Sequence, residues 1–260
     1  GEPQILRNYF SGNFSTGIAG GLCVRFSDCP VFHNVFDNNY SALGGGFGIL
    51  HIDTCKYVIS NNLVINNGAL YFGAGISNND CSPTYVNNTI VNNHCDGGGG
   101  GFYCKDSVVP VLHNNILYGN TQYGGEANQV YLWDLLAQPD FYYNNIQDGP
   151  DSFAGTGGAA FSGAYQFNID EDPQLEPETF VPVDQSPCVD AGNPDTTALF
   201  IPPLDLQYQN RIVGFRIDMG ACENQNPVLT GELNKPEAGL FPPTPNPSSG
   251  KVELSFAMSE

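Results

Sequence analysis

The sequence predicts an all-β protein, a parallel β-helix whose coils contain about 26 residues, followed by a short C-terminal β segment. Three observations predict this fold: an asparagine motif that recurs at nearly constant intervals, a glycine marker at a fixed distance after it, and a column of cysteines spaced one coil apart. The unit is too short for a propeller blade, and its apolar residues lack helical spacing. Short strands that stack on their counterparts in the next coil satisfy all three observations.

The asparagine motif consists of Asn, two mostly apolar residues, any residue, Asn or Gly, and a final Asn. Its copies run from 8 to 13, 34 to 39, 62 to 67, 88 to 93 and 115 to 120, and a decayed copy begins at Asn145. Successive copies start 26, 28, 26, 27 and 30 residues apart. Because equivalent residues lie above one another in stacked coils, we expect ladders of hydrogen-bonded amides at left-handed corners. The predicted ladder residues are Asn34, Asn62, Asn88 and Asn115.

Two further markers keep the same register. Glycines follow the motif at Gly21, Gly46, Gly75 and Gly101, where we expect positive φ or a close approach of two backbones. Cys29, Cys55 and Cys81 are spaced by 26 residues and predict a column of small, buried side chains at an inward corner.

Composition limits the classes of partner. The chain has 260 residues with 8 Lys and Arg against 27 Asp and Glu, a net charge of -19, which disfavours nucleic acid as a partner. No apolar run is long enough to predict a transmembrane segment. The 8 cysteines include no CxxC pair, so zinc is disfavoured, and disulfides are left open. Cys95 and Cys104 could form a bridge, or Cys104 could be free and buried.

The repeat fades along the chain and predicts a division into domains. We expect a β-helix over 1–223, with regular coils over 1–148 and irregular closing coils over 149–223. A Pro, Asn and Gly-rich linker would follow over 224–239. Residues 240–260 end in an alternating strand pattern and are predicted to be the truncated start of another domain.

Several phrases resemble known families. "GGGFGI", "GAGIS" and "FDNN" resemble the right-handed parallel β-helix proteins, which implies a right-handed solenoid. "DEDPQL", "SPCVDAGNPDT" and "PLDLQYQNRIVGFRIDMGACE" are similar to the end of bacterial β-helix proteins of the choice-of-anchor type, in which this region completes the last coils. Cys222 stands where those proteins usually have an aromatic residue. This departure permits a disulfide between Cys188 and Cys222.

The segment "LFPPTPNPSSGKVELSF" (240–256) resembles the beginning of the C-terminal sorting domain that type IX secretion uses. The resemblance implies that the type IX machinery exports the protein and that it is secreted or held at the cell surface.

Outward positions on one predicted strand form the candidate binding face. In the 26-residue register, one column contains Arg25, His51, Ser77 and Tyr103, and the next contains Ser27, Asp53, Asn79 and Lys105. Asp28, Asp80 and Asp106 lie beside them and are candidate ligands for Ca²⁺, a hard cation that prefers oxygen. Tyr131 and Trp133 could form a platform on which a sugar stacks, or could pack at the edge of one coil. Ordinary solvated residues would give the same pattern.

We expect from these features a secreted or cell-surface protein that binds an extracellular polysaccharide or another cell-surface ligand without catalysis. One alternative is a polysaccharide lyase or glycoside hydrolase, which would need Lys105 or His51 near an acidic calcium cluster. Another is a structural protein whose coils associate end to end into fibres, because an uncovered sheet edge can pair with a second copy.

Overall fold

A computed structural model describes residues 4–50, 57–106 and 109–226. Within these ranges the chain forms a parallel β-helix of about six coils spaced by about 27 residues, which confirms the predicted fold class. Each regular coil passes through sheets A, B, C and D in turn, and every strand pairs in parallel with the equivalent strand of the next coil. The compact unit that contains these coils extends to Pro227, and residues 227–260, including the predicted domain at 240–260, lie outside the described residues.

The strands are short, as the brief apolar runs predicted. Sheet A has strands Ile5–Leu6, Val31–Phe32, Val58–Ser60, Thr84–Val86, Val111–His113, Asp140–Tyr142 and Tyr165–Gln166. Sheet B has strands Tyr9–Ser11, Val35–Asp37, Leu63–Ile65, Thr89–Val91, Ile116–Tyr118 and Asn145–Ile146. Sheet C has strands Tyr40–Leu43, Gly68–Phe72, His94–Cys95 and Thr121–Gln122. Sheet D has strands Leu22–Arg25, Phe47–Leu50, Ile76–Asn79, Phe102–Lys105 and Val130–Leu132.

Helix contributes little to the described residues. One short α-helix covers Gly155–Ala159, and two 3-10 turns cover Tyr123–Gly125 and Pro150–Ser152. The α-helix and the second 3-10 turn lie where the asparagine repeat has faded, and the first 3-10 turn follows the fifth motif copy.

The core runs along the axis of the coils. Alternate side chains of each strand point inward, and the inward residues of successive coils stack into apolar columns. Examples from sheets A and B are Ile59, Tyr85, Leu112, Val64 and Ile90. Burial of these side chains is the main stabilising contribution to the solenoid.

The predicted asparagine ladder is present at the corner between sheets A and B. The backbone N–H and Nδ2 of Asn62 both donate to Oδ1 of Asn88, at 3.1 and 3.0 Å. Nδ2 of Asn62 also donates to the carbonyl oxygen of Val31 in the preceding coil, at 2.9 Å. The same bonds extend the ladder through Asn8, Asn34, Asn62, Asn88, Asn115, Asn144 and Asn168. The last copy therefore joins through Asn144, and the predicted start at Asn145 is wrong by one residue.

A second ladder lies at the corner between sheets B and C. It contains the final asparagine of each motif, Asn13, Asn39, Asn67, Asn93 and Asn120. It ends where Nδ2 of Asn120 donates to Oε1 of Gln129 at 2.7 Å. Both ends of the motif are thus corner residues.

The left-handed positions differ from the expectation. The residue before each asparagine of the first ladder has positive φ, and the ladder asparagine itself does not. These residues are Arg7, His33, Asn61, Asn87, Asn114, Tyr143 and Phe167, with φ between 50° and 60°. The ladder asparagine must instead place its side chain between coils, and the residue before it adopts the left-handed conformation that turns the chain.

The glycine markers serve the close approach of backbones. A Cβ on Gly75 would lie 2.5 Å from the carbonyl oxygen of Gly101 in the next coil, closer than two such atoms can stand. Gly75 is absent from the residues with positive φ, so of the two expected roles only close approach applies to it.

Residues 170–226, here called the return segment, do not form closing coils. They run back along the outer face of sheet B, where Met219 and Cys188 cover Leu63, Val91 and Ile116. These outward residues of sheet B are apolar and need a cover, which explains the path of the segment. Asn224 belongs to the same unit, since its Nδ2 donates to Pro182 O and Asp184 Oδ1, so the predicted linker does not begin at residue 224.

Apart from Cys23, which is free and exposed, the cysteines fall into three groups. Cys29 and Cys81 are buried, as predicted for the column, and Cys81 is disulfide-bonded, while Cys55 lies outside the described residues. Cys188 and Cys222 are buried free thiols, so the disulfide that the resemblance permitted is not formed. Cys95 and Cys104 are also free and buried, which settles the alternative left open for Cys104.

Candidate functional site

Sheet D contains the predicted binding face, but its register differs from the 26-residue spacing. Ser77 pairs with Gly48 and Tyr103, and Gly48 pairs with Cys23. The predicted alignments of Ser77 with Tyr103 and of Asn79 with Lys105 are confirmed. Arg25 aligns with Leu50 and Asn79 instead of Ser77, so its predicted place in the first column is wrong. The physical reason is that the apolar residues Leu22, Phe47 and Ile76 must align inside the core, and the turns between coils absorb the unequal spacing. His51 and Asp53 lie outside the described residues.

Most of this face is covered by protein. Ser77 is fully buried, Tyr103 is 3% exposed, and Nδ2 of Asn79 donates to Oγ of Ser77 at 2.9 Å. The ring of Tyr103 stacks on Phe72 with 5.2 Å between centroids. Because the end of a sheet C strand folds over sheet D here, the face is not one continuous open surface.

The three predicted metal ligands occupy different kinds of position. Asp80 and Asp106 end adjacent strands of sheet D with φ of 57° and 72°, and Phe26 occupies the same place in an earlier coil with φ of 51°. Aspartate tolerates this left-handed conformation, so a turn role accounts for both residues. Asp28 is exposed two residues after Phe26. Among the described residues no three His, Cys, Asp or Glu side chains are grouped to hold a metal ion, and calcium stays a prediction.

The far end of sheet D carries an aromatic cluster, formed by Phe72, Tyr103, Tyr131 and Trp133. The Phe72 ring lies 5.1 Å from both Tyr131 and Trp133, and the backbone N–H of Trp133 donates to Cys104 O at 2.9 Å. Trp133 is 42% exposed, so the cluster is anchored on one side and open to solvent on the other.

A cleft of about 660 Å³ opens beside this cluster. It is lined by Asp106, Tyr131, Trp133, Asp134, Leu135, Leu136 and Thr156. Nζ of Lys105 lies 5.9 Å from the centre of the Trp133 ring, within the range of a cation–π contact. The cleft therefore combines an indole face, two exposed leucines and a few charged groups at one place.

The charged groups of the cleft are not equally available. Oδ2 of Asp134 accepts from the N–H of Asp106 at 2.9 Å, and its Oδ1 accepts from the N–H groups of Leu136 and Ala137 at 2.9 and 3.2 Å. Asp134 therefore shapes the turn that carries Leu135 and Leu136. Burial raises the pKa of Tyr103, with a further contribution from Asp106, so its phenol stays protonated. Asp106 is the lining carboxylate left to meet a ligand.

Sequence reasoning found part of this site. Lys105, Asp106, Tyr103, Tyr131 and Trp133 were all singled out, but not as one group. The turn "DLL" after Trp133 was missed, although two consecutive leucines in a loop are a signal of an exposed apolar patch.

A histidine and an aspartate lie close together at the end of one sheet C strand. Nε2 of His94 lies 3.5 Å from Oδ1 of Asp96, and Nδ1 lies 3.0 Å from Oγ1 of Thr121. Both His94 and Asp96 are about half exposed, which is typical of polar neighbours on an open sheet.

The sequence motif "PLDLQYQNRIVGFRIDMGACE" proves to be structural. Arg211 and Glu223 are each 1% exposed, and their Nη1 and Oε2 lie 3.4 Å apart. Nη2 of Arg211 donates to the carbonyl oxygens of Asp218 and Gly220, at 3.1 and 2.7 Å. Asp205 accepts from the N–H groups of Gln207, Gln209 and Glu223. These buried side chains hold together the backbone of the return segment, which has almost no regular strand.

No known protein family, curated protein or solved structure matches this chain. No helix among residues 4–50, 57–106 and 109–226 is long and apolar enough to cross a bilayer. Function must therefore be argued from the geometry of the chain itself.

Proposed function

We propose that this protein binds carbohydrate without catalysis, and that the cleft beside Trp133 is the binding site. The observation that carries the proposal is the exposed indole of Trp133, supported from behind by Phe72 and flanked by Lys105 and Asp106. A sugar ring has an apolar C–H face that stacks on an aromatic ring and hydroxyls that bond to charged groups at its edge. The cleft offers both.

The arrangement favours binding over cleavage. Glycoside hydrolysis uses two carboxyl groups on either side of the scissile bond. In the cleft, both oxygens of Asp134 accept backbone N–H groups, and Lys105 faces the Trp133 ring. Side chains whose polar atoms are engaged in this way are suited to binding a ligand and poorly suited to proton transfer.

End-to-end association of the coils into fibres stays a prediction that sedimentation can test.

Native electrophoresis through gels that contain xylan, galactomannan or mixed-linkage β-glucan tests the binding site. We expect at least one of these neutral polysaccharides to retard the protein and Trp133→Ala to remove the retardation. Leu136→Ser, a change at an exposed lining position, should weaken it without disturbing the aromatic cluster. Tyr123→Ala is the matched control, because Tyr123 is a strongly exposed aromatic residue outside the cleft lining. Equal retardation of Trp133→Ala and the unchanged protein would exclude this site.

We also propose that the protein is a secreted or cell-surface member of the choice-of-anchor β-helix group and is exported by type IX secretion. The support is the sequence "LFPPTPNPSSGKVELSF" at 240–256 and the motif over 168–223. Antibodies raised against residues 4–226 should detect the protein on intact cells of the bacterium that makes it. Surface staining that persists unchanged when type IX secretion is disabled would contradict this route.

A further inference from the structure

A second cleft lies between the return segment and the outer face of the first coils. It has a volume of about 530 Å³. Tyr9 and Asp37 come from sheet B, Arg7 and His33 from the left-handed corner, and Phe180 and Tyr208 from the return segment. The cleft exists only because the return segment runs back over the coils, so the repeat alone does not predict it.

The walls of this cleft combine aromatic rings with polar edges. The guanidinium of Arg7 lies 4.7 Å from the centre of the Tyr208 ring, and the hydroxyl of Tyr9 donates to Oδ2 of Asp37 at 2.8 Å. Leu63 and Ile65 form an apolar floor. A floor of this kind with polar groups at its rim is the usual composition of a small-molecule site.

His33 supplies the observation that points to a ligand. Its side chain lines the cleft and is only 6% exposed. Its Nε2 lies 2.9 Å from the carbonyl oxygen of Leu204, which can only accept, and Asn61 Nδ2 shares that oxygen at 3.1 Å. Burial lowers the pKa of His33, so the ring is neutral. Nδ2 of Asn61 also lies 3.0 Å from Nε2, but it can direct its proton to Leu204 O, whereas that carbonyl can only accept, so we assign the ring proton to Nε2. Nδ1 then holds a lone pair that has no hydrogen-bond partner among the residues the structure describes.

Four residues that line the cleft have a left-handed backbone conformation. Arg7, His33, Phe180 and Tyr208 all have positive φ, between 56° and 64°. Bulky residues rarely adopt this conformation, and such residues cluster at sites where a side chain must be aimed. At Arg7 and His33 the corner of the solenoid imposes the conformation. At Phe180 and Tyr208 it belongs to the return segment alone.

We infer that this cleft is a second binding site and that its ligand is a neutral sugar, such as the terminal residue of a glycan. The ligand must donate hydrogen bonds, because His33 Nδ1 and the carboxylates of Asp37 and Glu178 are all acceptors. A carboxylate or phosphate ligand would meet those same carboxylates and the net charge of -19, and Arg7, the arginine of the lining, already lies over the Tyr208 ring. Sugar hydroxyls donate, and a sugar ring can stack on the exposed ring of Tyr9 or of Tyr208.

Imidazole nitrogen resonances of the ¹⁵N-labelled protein provide a readout that is specific to this site. The probes are methyl glycosides of glucose, galactose and mannose, together with N-acetylglucosamine, at millimolar concentration. We expect at least one to shift the Nδ1 resonance of His33. If none of the four does so, the inference is wrong.

His33→Gln is the decisive variant. Nε2 of the glutamine amide can take the place of the imidazole Nε2 and donate to Leu204 O, and Gln174 shows that glutamine adopts positive φ in this chain. Gln puts no acceptor at the position of Nδ1, whereas Asn would put Oδ1 there, so His33→Gln should weaken binding about tenfold, as expected for one lost hydrogen bond. Tyr208→Asn should also weaken binding, because it removes one wall while tolerating positive φ. Unchanged affinity in His33→Gln would overturn the inference.

Trp133→Ala separates this inference from the proposed function. It alters the cleft on sheet D and should leave the His33 response unchanged. A variant that loses polysaccharide retardation but keeps the His33 shift would show two independent sites. Loss of the His33 shift in Trp133→Ala would contradict a separate second site.

Discussion

Nδ2 of Asn87 donates a hydrogen bond to the carbonyl oxygen of Asp218 at 2.8 Å, across 131 residues of sequence. Asn87 precedes a rung of the ladder and has φ of 54°, which turns its amide outward to the return segment. The same amide reaches Gly220 O at 3.2 Å, and Oδ1 of Asn114, one coil further on, accepts from the N–H of Asn193. Corner residues outside the ladder therefore hold the return segment to the solenoid.

Two substitutions at Asn87 should separate the effect of backbone strain from the loss of the hydrogen bonds that hold the return segment. Both variants lose the amide bonds. Asn87→Ala also incurs left-handed strain of about 1–2 kcal/mol, whereas Asn87→Gly tolerates positive φ but loses about 0.5–1 kcal/mol more chain entropy on folding. We expect both to lower the free energy of unfolding, with Ala lower than Gly by about 1 kcal/mol. Hydrogen exchange at the amides of Gly220 and Ala221 should become faster in both. Equal stability of the two variants would contradict a left-handed Asn87.

Substitution of a ladder asparagine should lower the free energy of unfolding most in the buried middle of the ladder. Asn88→Ala removes donors to Ile59 O and Val86 O and leaves buried acceptors without partners. The expected loss is about 2–4 kcal/mol in the free energy of unfolding, measured with denaturant. Asn8→Ala is the control, because Asn8 belongs to the same ladder but is exposed, so that water can replace its hydrogen bonds. Equal losses at the two positions would mean that burial does not set the strength of the ladder.

The buried charges of the return segment predict a dependence on pH. Burial raises the pKa of Glu223 to about 8 from 4.5 and that of Asp218 to about 6 from 3.8, although Arg211 opposes both shifts. The folded protein thus holds these protons more tightly than the unfolded chain does. The stability they contribute is fully present below their ordinary pKa values and is lost as the pH rises through about 8.

Thermal unfolding between pH 5 and pH 9 should therefore show a falling midpoint as the pH rises through the pKa of Glu223, about 8. Glu223→Gln keeps an acceptor for the N–H of Val213 but cannot titrate, so its midpoint should change less with pH. If the two proteins show the same dependence, Glu223 is not its source.

The thiols of Cys188 and Cys222 should be inert in the folded protein. Burial raises the pKa of each to about 12, and both are enclosed. A thiol reagent should label Cys23, which is exposed, in the native state and should reach Cys188 and Cys222 only after unfolding. Peptide mapping by mass spectrometry provides the check. A disulfide-linked peptide that joins Cys188 to Cys222 would contradict the free thiols.

The candidate site illustrates where prediction from the sequence stops. Tyr131 and Trp133 are visible in the sequence as a stacking platform, and Lys105 and Asp106 as outward residues. These residues lie together because Asp134 fixes a turn by accepting from the N–H of Leu136, and because Phe72 of sheet C contacts Trp133. A turn held by one side chain has no period, so the repeat carries no information about it.

The sequence by itself determined the solenoid. Asn62 and Asn88 occupy equivalent positions one coil apart, and Ile90 belongs to an apolar core column. Because every coil must bury the same columns of side chains, the same residue types recur in the sequence at the length of one coil. The tertiary structure alone decided how the first strands of sheet D align, the path of the return segment and the two clefts. In sheet D, the core aligned Phe47 with Ile76 against the simple spacing, because burial of apolar side chains outweighs the length of a turn. The return segment took its path because sheet B has an apolar outer face that only a distant part of the chain could cover.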